Sequence, residues 1–149
     1  MARVEASVRI DRPVEDVYAY ATTVDTLPQW LGAVQEVEQL TGGPLAVGTQ
    51  IREVGKMLGR RLVTLVEVTA LEPGVRFAFT GVTGPFTAHN SYTFESVAGG
   101  TKVTDAAESE LSGLFRLIDP LVGRMMRRQF EANLAAVKDR LETQAAREG

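Results

Sequence analysis

Residues 119–146 read DPLVGRMMRRQFEANLAAVKDRLETQAA, and this stretch decides the architecture. Val122, Met126, Phe130, Leu134, Val137 and Leu141 recur every three or four residues, the period of one helix face. Pro120 suits a first helical position, because its fixed φ is helical and its missing N–H would have no partner there. Asp119 stands before it as the cap. Running to about Ala146, the helix has about 27 residues and a length of roughly 40 Å.

Everything upstream has a different period. Val4, Ala6, Val8 and Ile10 alternate with Arg3, Glu5, Ser7 and Arg9, which predicts a half-buried strand. Pro13, with Glu15 and Asp16 in the first turn, opens a short helix to about Thr22. Asp25 is positioned to cap a second helical turn holding Pro28 and Trp30. Six further strands are predicted near 34–40, 48–55, 61–70, 75–81, 86–95 and 101–111. Gly42-Gly43-Pro44, Glu72-Pro73-Gly74, Gly84-Pro85 and Gly99-Gly100 supply the turn chemistry between most of them. Connections this short join antiparallel neighbours, since a parallel crossover needs a dozen or more residues.

Seven strands spaced by about 4.8 Å make a sheet close to 30 Å wide. One helix, about 10–12 Å across, cannot cover it flat. The sheet must curl around the helix, and the remaining interior holds either large side chains or something that is not protein. Small inward residues, Ala6, Ala88 and Ala107, beside Phe86, Tyr92 and Phe94 form a lining that leaves room. A packed core without a cavity is the alternative.

Composition narrows the function classes. In 149 residues, 44% hydrophobic and 23% charged side chains place the chain among globular proteins, of a size for one domain. With no cysteine there is no disulfide framework and no thiolate metal site. Sixteen basic against 19 acidic residues is not the footprint of a nucleic-acid binder. No signal-peptide pattern and no apolar run of roughly 20 residues occurs, so a cytoplasmic protein without integral membrane association is expected.

Several motifs carry a family likeness: Val4-Glu-Ala-Ser-Val-Arg-Ile-Asp-Arg-Pro-Val-Glu-Asp-Val17, Leu27-Pro-Gln-Trp30, Leu45-Ala-Val-Gly-Thr49, Leu71-Glu-Pro-Gly74, Gly99-Gly-Thr-Lys-Val103 and Leu134-Ala-Ala-Val-Lys-Asp-Arg-Leu-Glu142. With these, nearly the whole chain resembles the START and birch-pollen-allergen (SRPBCC) superfamily, in its polyketide cyclase/dehydrase-like branch. The resemblance implies an α+β helix-grip fold: a seven-stranded curved antiparallel sheet around a long C-terminal helix, with two short helices between the first two strands. It also implies a deep pocket for lipids, polyketides, hormones or other hydrophobic ligands. The motifs are turns, caps and packing signatures, so they speak to fold more than to activity.

Strand phase sorts the polar candidates. Within 86–95, Asn90 shares the apolar phase with Phe86, Ala88, Tyr92 and Phe94, while His89 falls on the solvent phase. With one histidine and no cysteine, no metal site and no cofactor is expected. Within 101–111, Asp105 lies on the apolar phase of Val103, Ala107, Ser109 and Leu111. If Ser96 and Thr101 close the hairpin, Phe94 pairs with Val103, Tyr92 with Asp105, Asn90 with Ala107 and Ala88 with Ser109. A buried Asp105 requires a partner, a raised pKa or water; near a sheet edge or bulge it would be solvated instead. Glu53 and Glu67 lie in strands apolar on both faces, where phase is not readable, and are assigned to the surface. Arg124, Arg127 and Arg128 read as an ion-paired helix face or as a contact for an anionic group.

The candidate ligand-binding residues are thus Trp30, Phe77, Phe79, Asn90, Tyr92, Phe94, Asp105, Ser109, Met126 and Phe130. Met125, and Met57-Leu58 at a hairpin tip, are further apolar candidates. Three functions remain. The first is binding or carriage of a hydrophobic small molecule. The second is a cyclase or dehydrase using Asp105 or Tyr92 as acid or base, with Asn90 and Ser109 positioning a carbonyl. The third is a protein-interaction or assembly module. Either a monomer or a homodimer is compatible with all three.

Overall fold

Ala2–Ile10 forms the first strand, β1, and alternates as its sequence predicts, with Val4, Ala6 and Ile10 buried. The structure is a computed structural model and describes residues 2–57, 59–83, 86–109 and 119–148. After β1 come α1 (Val14–Ala21), a 3-10 turn (Val24–Thr26) and α2 (Leu27–Trp30). Six strands follow: β2 (Val34–Gln39), β3 (Gln50–Met57), β4 (Arg60–Glu72), β5 (Arg76–Thr83), β6 (Phe86–Val97) and β7 (Gly100–Ser109). The chain closes with α3, Asp119–Glu148, 30 residues long.

The seven strands form one antiparallel sheet in the order β1-β7-β6-β5-β4-β3-β2. Consecutive strands from β2 to β7 are neighbours, as their short turns require. The Glu72-Pro73-Gly74 and Gly99-Gly100 turns place Gly74 and Gly99 at φ 73° and 80°, a region that glycine enters without steric cost. The Gly84-Pro85 turn and Leu111 lie outside the described residues. This is the helix-grip fold expected from the sequence.

Two local features differ from expectation. Asp25 does not cap α2; it lies inside the 3-10 turn, and Thr26 takes the capping position. Thr26 Oγ1 donates back toward the Tyr20 and Thr23 carbonyls, tightening the α1–α2 connection. A register shift between Val68 and Ala70 in β4 exchanges the two faces of that strand. Val66 and Val68 point inward before it and Leu71 packs on the core after it.

Helix α3 docks by its second half. Leu134, Val137 and Leu141 are buried in the cluster that contains Ile10, Val17 and Ala21. Polar contacts fix the direction. Arg12 Nη1 donates to the Leu141 carbonyl at 2.7 Å, and Lys138 Nζ donates to the Arg9 carbonyl at 2.9 Å. Further up the helix, Asn133 Oδ1 accepts from the Gly32 amide at 2.9 Å and from Gln129 Nε2 at 2.8 Å. In the first half Met125 is 52% exposed, and Met126 and Phe130 are half-buried. Arg124, Arg127 and Arg128 lie on the exposed face, with Arg127 paired to Glu131 at 3.4 Å.

Candidate functional site

The concave face of the sheet is built in rungs. One rung crosses five strands as Ala6, Asp105, Tyr92, Phe77 and Leu71. The next reads Val4, Ala107, Asn90, Phe79 and Val68. Directly opposed residues on paired strands share a face. Asp105, Asn90 and Tyr92, singled out by strand phase, therefore come together with the aromatic candidates Phe77 and Phe79. The β6–β7 register is the one predicted, from Ser96 opposite Thr101 to Ala88 opposite Ser109.

Tyr92 is the centre of an aromatic cluster. Trp30, delivered by α2, meets it edge-on with ring centroids 5.4 Å apart. Phe77 stacks on it at 6.3 Å and Phe79 approaches at 6.1 Å. Trp30 and Tyr92 are each 2% exposed. Phe94 belongs to the next rung toward α1, where its ring meets Tyr18 at 5.1 Å rather than this cluster. Phe130 packs on the same core from α3, and Met126 is half-buried one turn before it. Ser109 ends β7, and its side chain lies outside the described residues, as do Leu58 and the Met57 and Phe86 side chains.

Polar atoms sit inside this apolar shell. Asp105 is 0% exposed, and its Oδ1 accepts from Asn90 Nδ2 at 2.8 Å. Burial drives its pKa up to about 7, against the opposing pull of Asn90 and of the Tyr92 hydroxyl. That hydroxyl is near enough to ease ionisation but not in bonding geometry: among the described residues Oδ2 has no hydrogen-bond partner. The buried Trp30 Nε1 likewise has none. Tyr92 itself is held well above the usual phenol range, first by burial and then by the negative charge of Asp105. It therefore remains an O–H donor at any physiological pH.

Sequence reasoning missed Glu53. Its rung runs Val37, Glu53, Thr64, with Ile51 two residues before it on the same inward phase. Glu53 is half-buried, and the loss of water around its carboxyl alone raises that group to about 7. Its phase, shared with the buried Ile51, turns it toward the concave side, and its charge adds to the causes that raise the Tyr92 phenol. Glu67 is exposed on the convex side, as assigned, and His89 is exposed there too, bonded to Thr80 Oγ1 at 2.9 Å. On that convex side a groove of about 380 Å³ is lined by residues including Leu40, Gln50, Leu65, Glu67, Thr80 and Val82. Among the described residues no three His, Asp or Glu side chains converge as metal ligands, and no helix is long and apolar enough to cross a membrane.

The sequence profile of the family described as polyketide cyclase / dehydrase and lipid transport matches residues 1–142. The chain belongs to this family. Its fold is shared with solved structures of low sequence identity. TTHA0849 from Thermus thermophilus is similar at 24% identity and a TM-score of 0.80, covering 95% of this chain and 98% of that one. A START superfamily protein from Mycobacterium smegmatis is 15% identical with a TM-score of 0.78, covering 97% and 99%. The di-domain ARO/CYC BexL from the BE-7585A biosynthetic pathway is 20% identical with a TM-score of 0.78, covering 95% of this chain and 47% of that chain. No protein of curated function matches the sequence. The family spans two kinds of work, cyclising polyketides and holding hydrophobic ligands.

Proposed function

We propose that the chain binds or carries a hydrophobic small molecule, lipid or polyketide-like, between the concave sheet face and α3. One observation carries this reading: among the described residues the fully buried Asp105 keeps a carboxylate oxygen without a hydrogen-bond partner, beside an aromatic cluster whose Trp30 N–H likewise has none. Leaving such atoms unmatched costs about 1–3 kcal/mol each, a cost that a ligand's polar end would remove. The aromatic rings supply the apolar contact. Covering about 300 Å² of apolar ligand surface is worth about 7 kcal/mol before association costs, so the polar contacts and further buried surface must supply the rest of a micromolar affinity, about 8 kcal/mol net. Native mass spectrometry of protein purified without detergent tests the proposal. A co-purified apolar molecule, or uptake of a polyaromatic dye, is the expected result; neither being found would count against it.

A second reading is favoured by Asp105 lying near pH 7. A carboxyl poised there can take a proton from a carbon acid or return one to a leaving hydroxyl, the steps of a cyclase or dehydrase. In that reading Asn90 holds Asp105, and Tyr92 donates to a substrate carbonyl. Asp105→Asn would then abolish turnover of a polyketide-like substrate while preserving its uptake. Equal turnover by both proteins would remove Asp105 from the chemistry.

A further inference from the structure

Asp105 and Glu53 enter one interior from β7 and β3: Asp105 is fully buried opposite Tyr92, and Glu53 is half-buried on the inward phase of Ile51, opposite Thr64. Neither carboxyl takes part in an ion pair among the described residues, and no cation contributes to the state of either. Among the described residues, three basic groups, just after β1, on α3 and on β3, have partners of their own. Arg12 is held by Asp16 and the Leu141 carbonyl, and Lys138 by Glu142 and the Arg9 carbonyl. Arg52, next to Glu53 on the strand, has the opposite phase and pairs with Glu38. Around Asp105 the inward groups are Ala6 from β1, Val103 and Ala107 from β7, and Asn90 and Tyr92 from β6. Trp30 from α2 stands against Tyr92.

We infer that this interior selects apolar ligands whose polar end is neutral or cationic, a hydroxyl or an amine, and rejects carboxylates. The inference rests on the ligand-binding reading above and specifies its chemistry. A hydroxyl donates to the open Asp105 Oδ2 and accepts from Tyr92 or Trp30. An amine does the first and neutralises a carboxylate. A ligand carboxylate brings a third acidic group beside two carboxyls that no cation of the described residues offsets, and like charges disfavour one another strongly.

The test uses three probes with one twelve-carbon chain, dodecanol, dodecylamine and dodecanoate, titrated calorimetrically into the full chain at pH 8, where both carboxyls are largely ionised. Dodecanol and dodecylamine are expected to bind at least tenfold tighter than dodecanoate. In Glu53→Gln, and again in Glu53→Gln/Asp105→Asn, the dodecanoate deficit should shrink by tenfold or more, because the repelling charge is gone. Dodecanoate binding as tightly as dodecanol, or a deficit unchanged in both variants, overturns the selectivity alone. Binding of none of the three overturns the ligand reading as well, so the two failures are distinguishable.

Discussion

Asn90 Nδ2 reaches Asp105 Oδ1 along a diagonal of the β6–β7 ladder, at 2.8 Å, although the residue directly opposite Asp105 is Tyr92. The diagonal leaves the rung partner free to present its ring to Trp30 and Phe77, while the carboxyl is held by the amide one rung along. An acid is thereby kept inside an apolar shell with one of its two oxygens lacking a hydrogen-bond partner among the described residues.

That arrangement sets a pH dependence. Asp105 titrates near 7 in the folded chain against an ordinary value of 3.8. Between those values the folded form holds a proton that the unfolded form has released. Its contribution to stability is therefore complete below about pH 4 and declines as pH rises toward 7. Asp105→Asn preserves the acceptor for Asn90 and removes the ionisation. Urea unfolding should find the variant more stable than the parent at pH 8, by up to about 4 kcal/mol, and little different near pH 4. Parallel pH profiles for the two proteins would contradict the burial of Asp105.

Trp30 is the chain's single tryptophan and touches Tyr92, which makes it an internal reporter. Its emission should be that of an indole shielded from water, and it should change in intensity when an apolar ligand binds. Tyr92→Phe should reduce affinity for a hydroxylated ligand by about tenfold, the loss of one hydrogen bond of about 1.4 kcal/mol, with little change for a pure hydrocarbon. Equal losses for both ligands would assign Tyr92 to packing only.

Gly55 tests how tightly β3 is held against the α2–β2 connection. A Cβ there would run into the Ala33 carbonyl oxygen, a backbone atom that cannot turn aside. Gly55→Ala should destabilise the fold by about 1–3 kcal/mol in chemical denaturation. At Gly42 an added Cβ meets nothing within 4 Å, so Gly42→Ala should stay within about 0.5 kcal/mol of the parent.

Leu134 tests the docking of α3. It is 1% exposed within the core cluster, and Leu134→Ala should cost about 2–5 kcal/mol. Met125→Ala, on the exposed side of the same helix, should change stability by less than about 0.5 kcal/mol in the same urea titration.

The parts of this structure legible in the sequence are those where one face is apolar and a turn fixes the register. The Gly99-Gly100 hairpin is the case in point. It pins Phe94 against Val103, and period-two alternation then carries Asp105 and Asn90 inward without any knowledge of the fold. Glu53 is hidden for the opposite reason. The convex face of β3 and β4 carries Val54, Val63 and Leu65, as apolar as the concave one, so alternation gives no sign of which side is inside. The register shift after Val68 then reverses the phase midway along β4, which no two-residue period can express. Asp25 misleads because a 3-10 turn precedes α2, and a residue type suited to capping is used within that turn. Trp30 is recognisable as apolar, but its contact with Tyr92 depends on the placement of a four-residue helix by the chain on either side.

Strand β1 is hydrogen-bonded to β7 alone, with Val4 opposite Ala107. A ribosome must therefore translate through Ser109 before the opening strand has anything to pair with. Until then its alternating Val4, Ala6, Val8 and Ile10 form an open edge, and the emerging chain must wait on the slowest kind of contact, one closed across about a hundred residues. The opening strand thus joins the sheet only after the last strand has been made.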